Sequence, residues 1–269
     1  MEGTGTVGGF KMPRGEGRYI YCVVEGEHQD SLGKVVIEEC EVFTISSGGF
    51  SALVHACPAF PYDSEDQETV EKWVTTHDRV VQMASEKYGV VIPMGFDTIV
   101  KGKDAEDAAK NVRDWLDEEN EALKGKLERV RGKAEYSVQL FWNPDRIGKL
   151  IILESQELVD LSRKISSGSK GSAYMYRQKL ERELKKKLEE KATESFNKFY
   201  DSIRDCVDDI RVERTKRSEE LQMLANFSCL ATPEQSERLG EELEKIESAE
   251  GFSVRFTGPW PPYSFVAGG

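Results

Sequence analysis

The chain has 269 residues, with 37 Lys and Arg against 49 Asp and Glu, and a net formal charge of −12. That balance argues against nucleic acid as the main partner, since phosphate binding needs concentrated basic charge. No stretch approaches the roughly 20 apolar residues of a membrane-crossing helix, so no lipid membrane is expected as a partner. With 38% hydrophobic and 32% charged residues, a soluble protein with long solvent-washed helices is expected, and the length suits two domains of roughly 100–150 residues.

Residues 1–17 are Gly-rich, lack the apolar core of a signal peptide and read as a flexible leader. Arg18 to Glu25 is a strand by its aromatic and β-branched content. Glu41–Ile45 reads as a second strand, Ser47-Gly48-Gly49 as a reversal, and Phe50–Cys57 as a third. A helix begins near Ser64 or Asp66, with Val70, Trp73, Val74, His77, Val81 and Ala84 on one stripe. Val90–Met94 is a strand, and Ala105 to Val130 is expected to be one helix. Residues 18–131 thus form an N-terminal α+β domain with helices packed on one side of a sheet.

A junction is expected at Arg131-Gly132-Lys133, opening a C-terminal α+β domain over residues 132–257. Glu135–Trp142 alternates as a half-buried strand. Ile147–Ile165 is ambiguous, starting as an apolar run and becoming helix-like. Ser166–Ser172 reads as a flexible connection without phosphate-loop spacing. The longest helical block runs from Ala173 to about Arg217, one part packing on a sheet and a charged part protruding. Glu220–Leu230 reads as a strand, with Leu221, Met223 and Leu224 also compatible with a continued helix; Pro233 opens a helix that Gly251 ends, and Phe252–Thr257 closes the sheet. Strand, helix and strand after a long helix suit a modified ferredoxin-like core, with Gly258-Pro259 turning the chain out of the sheet.

Residue types that carry chemistry do not converge. Five cysteines (Cys22, Cys40, Cys57, Cys206 and Cys229) are scattered without a CxxC pair, which fits a reducing cytoplasm and buried small side chains. His28, His55 and His77 lack metal-ligand spacing, and His55 meets Cys57 only as a neighbour two strand positions away; packed or edge histidines are expected. Asp205, Asp208 and Asp209 imitate a metal cluster, but Arg204, Arg211 and Arg214 beside them make ion pairing the stronger explanation. No catalytic residue, cofactor site or metal site is assigned, and no enzymatic activity is expected.

The tail is unusual. Phe256, Trp260, Tyr263 and Phe265 crowd around Pro259, Pro261 and Pro262 within a few residues of the C-terminus. Three prolines remove three backbone donors, so neither a helix nor a central strand is expected. Residues 258–269 are expected to fold back onto the protein, or onto a partner, through these aromatics.

The opening strand Arg18–Val24, the segment Glu135–Trp142, Gly171-Ser172-Ala173-Tyr174 and the stretch Phe256–Phe265 together resemble the gas vesicle protein GvpF/GvpL family, from about Arg18 to Val266. The resemblance implies an N-terminal α+β domain and a modified ferredoxin-like C-terminal domain with prominent helices. It implies a non-enzymatic accessory or minor structural protein that supports gas vesicle assembly, in the cytoplasm and on the vesicle, including its gas-facing surface. Its implied partners are the shell protein GvpA and other accessory Gvp proteins; the alternative is a passive minor wall component without chaperone-like effect. The family signature falls on Thr257, Gly258, Pro259, Trp260, Pro261, Pro262, Tyr263 and Phe265, as a structural clasp or a partner contact.

Overall fold

The computed structural model describes residues 16–33, 37, 40–215 and 222–266. They divide into two compact units, one running to Gly132 and taking in the segment from Pro261, the other spanning Lys133–Trp260. Most of the Gly-rich leader, together with Glu38, Glu39, Glu220 and Leu221, lies outside the described residues. Glu16 and Gly17, assigned to the leader by composition, already belong to a strand.

The first unit is built on β1 (Glu16–Glu25), which pairs antiparallel with β4 (Phe50–Pro58). The sheet extends outward through β3 (Val42–Ser47) to β2 (Ser31–Gly33). On the other edge of β1, β5 (Val91–Pro93) pairs with Cys22–Val24, and β6 (Ile99–Gly102) with Glu16–Tyr19. The short strands β2 and β6 leave no period-2 signal in the sequence.

Helix α1 (Gln67–Tyr88) is capped by Asp66, whose carboxylate accepts from the Thr69 amide, and it buries His77, Val80, Val81 and Ala84. The expected helix over Ala105–Val130 is two: α2 (Ala105–Glu118) and α3 (Asn120–Val130). The break serves the β3–β4 turn. Asn120 donates its side-chain amide to Gly48 O at 2.6 Å, and Ser47 Oγ donates to Asp117 at 2.8 Å.

Helices cover both faces of this sheet, not one. Successive strand residues point to opposite sides. Arg18 reaches Ala105 O at the start of α2 (2.8 Å), while Tyr19 bonds His77 of α1 (2.8 Å). Residues 18–24 are all buried as a result. An irregularity between Ile20 and Cys22 in the pairing with β4 leaves Tyr21 as an extra residue. Tyr19, Tyr21, Cys22 and Val24 then share one core cluster with Val80, Val81 and Ala84.

The second unit has an antiparallel sheet in the order β10-β7-β9-β8, made of β7 (Ala134–Trp142), β8 (Asp209–Val212), β9 (Gln222–Ala231) and β10 (Phe252–Trp260). Helices connect β7 to β8, and α7 (Pro233–Ser248) connects β9 to β10, which is the split β-α-β arrangement of ferredoxin-like folds. The ambiguous stretch resolves into α4 (Pro144–Glu154), capped by Asn143, and α5 (Gln156–Ser167). Long helix α6 (Lys170–Arg204) follows after only Gly168 and Ser169, so the expected seven-residue flexible connection is mostly helical.

Helix α6 also ends thirteen residues before Arg217. Cys206 and Val207 turn back onto the Ile203 and Arg204 carbonyls, and the chain then pairs with β9 as β8, where the sequence pattern predicts continued helix. The C-terminal part of α6 packs Phe199 and Ile203 on the sheet beside Leu239, Leu243 and Ile246 of α7. Its N-terminal part packs against α4 and α5 and buries no residue fully.

Candidate functional site

The family-like tail is not uniform. Strand β10 does not end at Thr257. It continues past Gly258-Pro259 to Trp260, whose partner on β7 is Glu135. An edge strand tolerates proline because one side of it carries no ladder. Gly258 has φ of +133°, and a Cβ there would sit 2.8 Å from the Tyr136 ring and 2.9 Å from Glu135 O. Only glycine accommodates both that backbone conformation and that approach. Pro259 is exposed. Trp260 is 50% exposed, and its indole N–H donates to Thr257 Oγ1 at 3.4 Å. Phe256, 39% exposed, stacks on Tyr136 with ring centroids 5.5 Å apart.

From Pro261 the segment belongs to the first unit. Pro262 is buried, and Tyr263–Val266 forms the short helix α8, contrary to the expectation of no helix in the tail. The two prolines precede its first turn, where a missing N–H costs nothing. Phe265 and Val266 are each 2% exposed, and the Arg129 guanidinium of α3 lies 6.0 Å from the Phe265 ring centroid. Tyr263 donates to Asp78 Oδ1 at 3.0 Å, and its ring packs 6.2 Å from that of His77. Burial and then the nearby Asp78 charge push the Tyr263 phenol well above its usual range. Tyr263→Phe is expected to cost about 1 kcal/mol, because it removes one hydrogen bond and leaves a carboxylate that water can reach. Thermal unfolding of the two proteins side by side measures this.

Beneath Tyr263 lies a buried polar cluster that sequence reasoning missed as a unit. The Asp97 amide donates to Tyr19 Oη at 3.1 Å, and Tyr19 bonds His77 Nδ1 at 2.8 Å. His77 Nε2 faces Met94 O at 3.1 Å. A carbonyl only accepts, so His77 carries its proton on Nε2 and takes the Tyr19 proton at Nδ1, which is the neutral tautomer. Burial accordingly lowers its pKa, against the opposing pull of Asp78. His55 is fully buried, bonds Tyr62 Oη at 2.9 Å through Nε2, and has no partner at Nδ1. Burial depresses its pKa to about 4.

Asp97, with φ of +67°, holds this cluster together by also accepting from the Tyr62 amide at 3.0 Å. Pro93 and Gly95, shortly before it, are the hints of irregular backbone nearby in the sequence. His55 and His77 are packed, as expected, and burial raises Cys57 to about 11, so its thiol stays protonated. Asp208 pairs with Lys133 at 2.6 Å, and Asp205 with Arg204 at 3.1 Å. Among the described residues no three His, Cys, Asp or Glu side chains come together in a way that would hold a metal.

Residues 17–267 match the family model for the gas vesicle synthesis protein GvpL/GvpF. The chain belongs to the GvpL/GvpF family. Gas vesicle protein L1 of Halobacterium salinarum is 30% identical over 259 residues, covering 93% of this chain and 90% of that protein. Gas vesicle protein L of Haloferax mediterranei is 27% identical over 237 residues, covering 86% and 72%. The crystal structure of gas vesicle protein GvpF from Anabaena sp. PCC7120 superposes with a TM-score of 0.70 over 94% of this chain and 99% of that one, at 19% identity. At that identity the likeness speaks for the fold alone, a mixed helix-and-sheet architecture that this chain has in common with that GvpF structure.

Proposed function

We propose that this protein is an accessory or minor structural protein that supports gas vesicle assembly by binding the shell protein GvpA and other accessory Gvp proteins. The observation that carries the reading is the family match over residues 17–267. The protein works in the cytoplasm and stays with the vesicle, including its gas-facing surface, and it acts through surfaces, not through catalysis. By covering an apolar face of an unassembled shell subunit, it delays off-pathway aggregation until the subunit joins the wall.

Within the tail the roles divide. Pro262, Tyr263 and Phe265 act as a structural clasp, supported by their packing in the first unit. Thr257, Gly258, Pro259 and Pro261 set the path of the chain. Trp260 is the signature residue assigned to partner contact, supported by its exposure.

A pulldown of the full chain with purified GvpA tests the reading, run beside an aggregation assay of the shell protein. Retention of GvpA, with aggregation suppressed at stoichiometric protein, is the expected result. Binding without suppression would leave the passive wall component. No binding by folded protein would move the contact to another Gvp protein.

A further inference from the structure

The tip of the α5–α6 hairpin stands apart from the rest of the chain in charge. From Leu161 to Leu180 there are five cations, Arg163, Lys164, Lys170, Arg177 and Lys179, and no Asp or Glu, in a chain of net charge −12. All five are exposed. Arg163 and Lys179 have acidic neighbours at 3.5 Å, Asp160 and Glu157, and Lys164 lies 5.8 Å from the Tyr176 ring centroid. Lys170 and Arg177 form no ion pair among the described residues.

Apolar surface lies beside this unbalanced charge. Tyr174 is 62% exposed and Met175 71%, among the most exposed large hydrophobic residues described. Lys170, Tyr174 and Arg177 stand at i, i+4 and i+7, so they share one stripe of α6, with Met175 flanking it. The inner side of the helix is the other one, where half-buried Tyr176, Leu180 and Leu184 lie. Tyr174 sits in the Gly171-Ser172-Ala173-Tyr174 segment that carries part of the family resemblance, and most of its surface faces solvent.

We propose that this tip docks an acidic segment of a partner protein, one presenting carboxylates to Lys170 and Arg177 and an apolar side chain to Tyr174 and Met175. The choice of occupant rests on charge complementarity. Charges are screened beyond about 8–10 Å at ordinary salt, so the acidic remainder of the chain does not neutralise the tip. At contact range the acidic surface elsewhere disfavours an acidic partner, which leaves the tip as the favoured place for it. Tyr and Met add contact area without a further charge requirement. Two cations free of ion pairs fall short of the array of phosphate contacts that holds a nucleic acid.

The test uses the full-length protein and a fluorescein-labelled 20-residue amphipathic helix with Glu on one face and Leu on the other, read by anisotropy. Its counterpart with Lys in place of Glu is the control. The Glu peptide is expected to bind, with Kd rising about tenfold between 50 and 300 mM NaCl. Lys170→Glu with Arg177→Glu should abolish that binding, and Tyr174→Ala with Met175→Ala should weaken it about fivefold. All four positions are exposed, and circular dichroism checks that the variants fold.

Equal binding of both peptides, or variants without effect, overturns the proposal. So does capture of phosphatidylserine-containing vesicles in place of the peptide with the same sensitivity to the variants. Self-association of the protein that K170E/R177E removes, without peptide binding, assigns the tip to a second copy and overturns it as well. No gas vesicle protein enters the assay, so its failure is separate from failure of the GvpA reading.

Discussion

Phe265→Ala is expected to destabilise the unit that contains it by about 3–5 kcal/mol, the range for removing a buried aromatic ring and leaving a cavity. Phe265 is 2% exposed, follows Pro262 by three residues, and sits on α8 among α3 and β5. Burial of Phe265 and Val266 and the Tyr263–Asp78 bond hold this segment. Trp260→Ala, three residues before Tyr263, is expected to cost no more than about 1 kcal/mol, because half of that side chain is already in water. Chemical denaturation followed by circular dichroism compares the two, with hydrogen exchange of the α3 and β5 peptides to localise the loss. Equal costs would sink the division of the signature into a packed half and an exposed half. A loss confined to Phe265→Ala, with shell-protein binding reduced only in Trp260→Ala, would support both roles.

Elements whose side chains repeat on a regular period are legible in the amino-acid sequence itself. Tyr19–Val24 and Glu135–Trp142 are strands by composition, and Trp73, His77, Val81 and Ala84 mark the inner stripe of α1. The failures have local causes. Strand β8 has four residues and keeps the helical spacing of Ile203, Val207 and Ile210, and no Gly or Pro marks the end of α6; pairing with β9 overrides the pattern. Helix α8 is hidden because three prolines signal a break across the whole segment, although two of them simply precede it. The buried cluster is not legible as a unit because Tyr19, Tyr62, His77 and Asp97 come from separate elements. Only the fold brings them within hydrogen-bond distance.

That cluster makes the first unit sensitive to acid, with His55 the principal cause. The rings of Tyr19 and Tyr21 lie 5.0 and 5.4 Å from His55, Tyr62 holds its Nε2, and among the described residues no acidic side chain bonds it. Burial alone depresses its pKa to about 4, against about 6.5 in the unfolded chain. The unfolded state therefore takes up a proton first as pH falls. The stability His55 contributes is fully present above pH 6.5 and is lost as pH falls toward 4, by about 2–3 kcal/mol at pH 4.5. His77 acts in the same direction, because a proton on its Nδ1 would face Tyr19 Oη and leave the phenol proton without an acceptor. Denaturation midpoints between pH 7.5 and 4.5 should fall more steeply for the native chain than for His55→Leu. That variant starts lower at neutral pH through the lost Tyr62 bond, but has no imidazole to charge at this position. Carboxylates held in their charged form by surface partners, such as Asp30 beside Lys87 and Asp66 at its cap, act alike in both proteins and cancel in the difference. Parallel pH profiles for the two proteins would show that His55 is not held neutral by its surroundings.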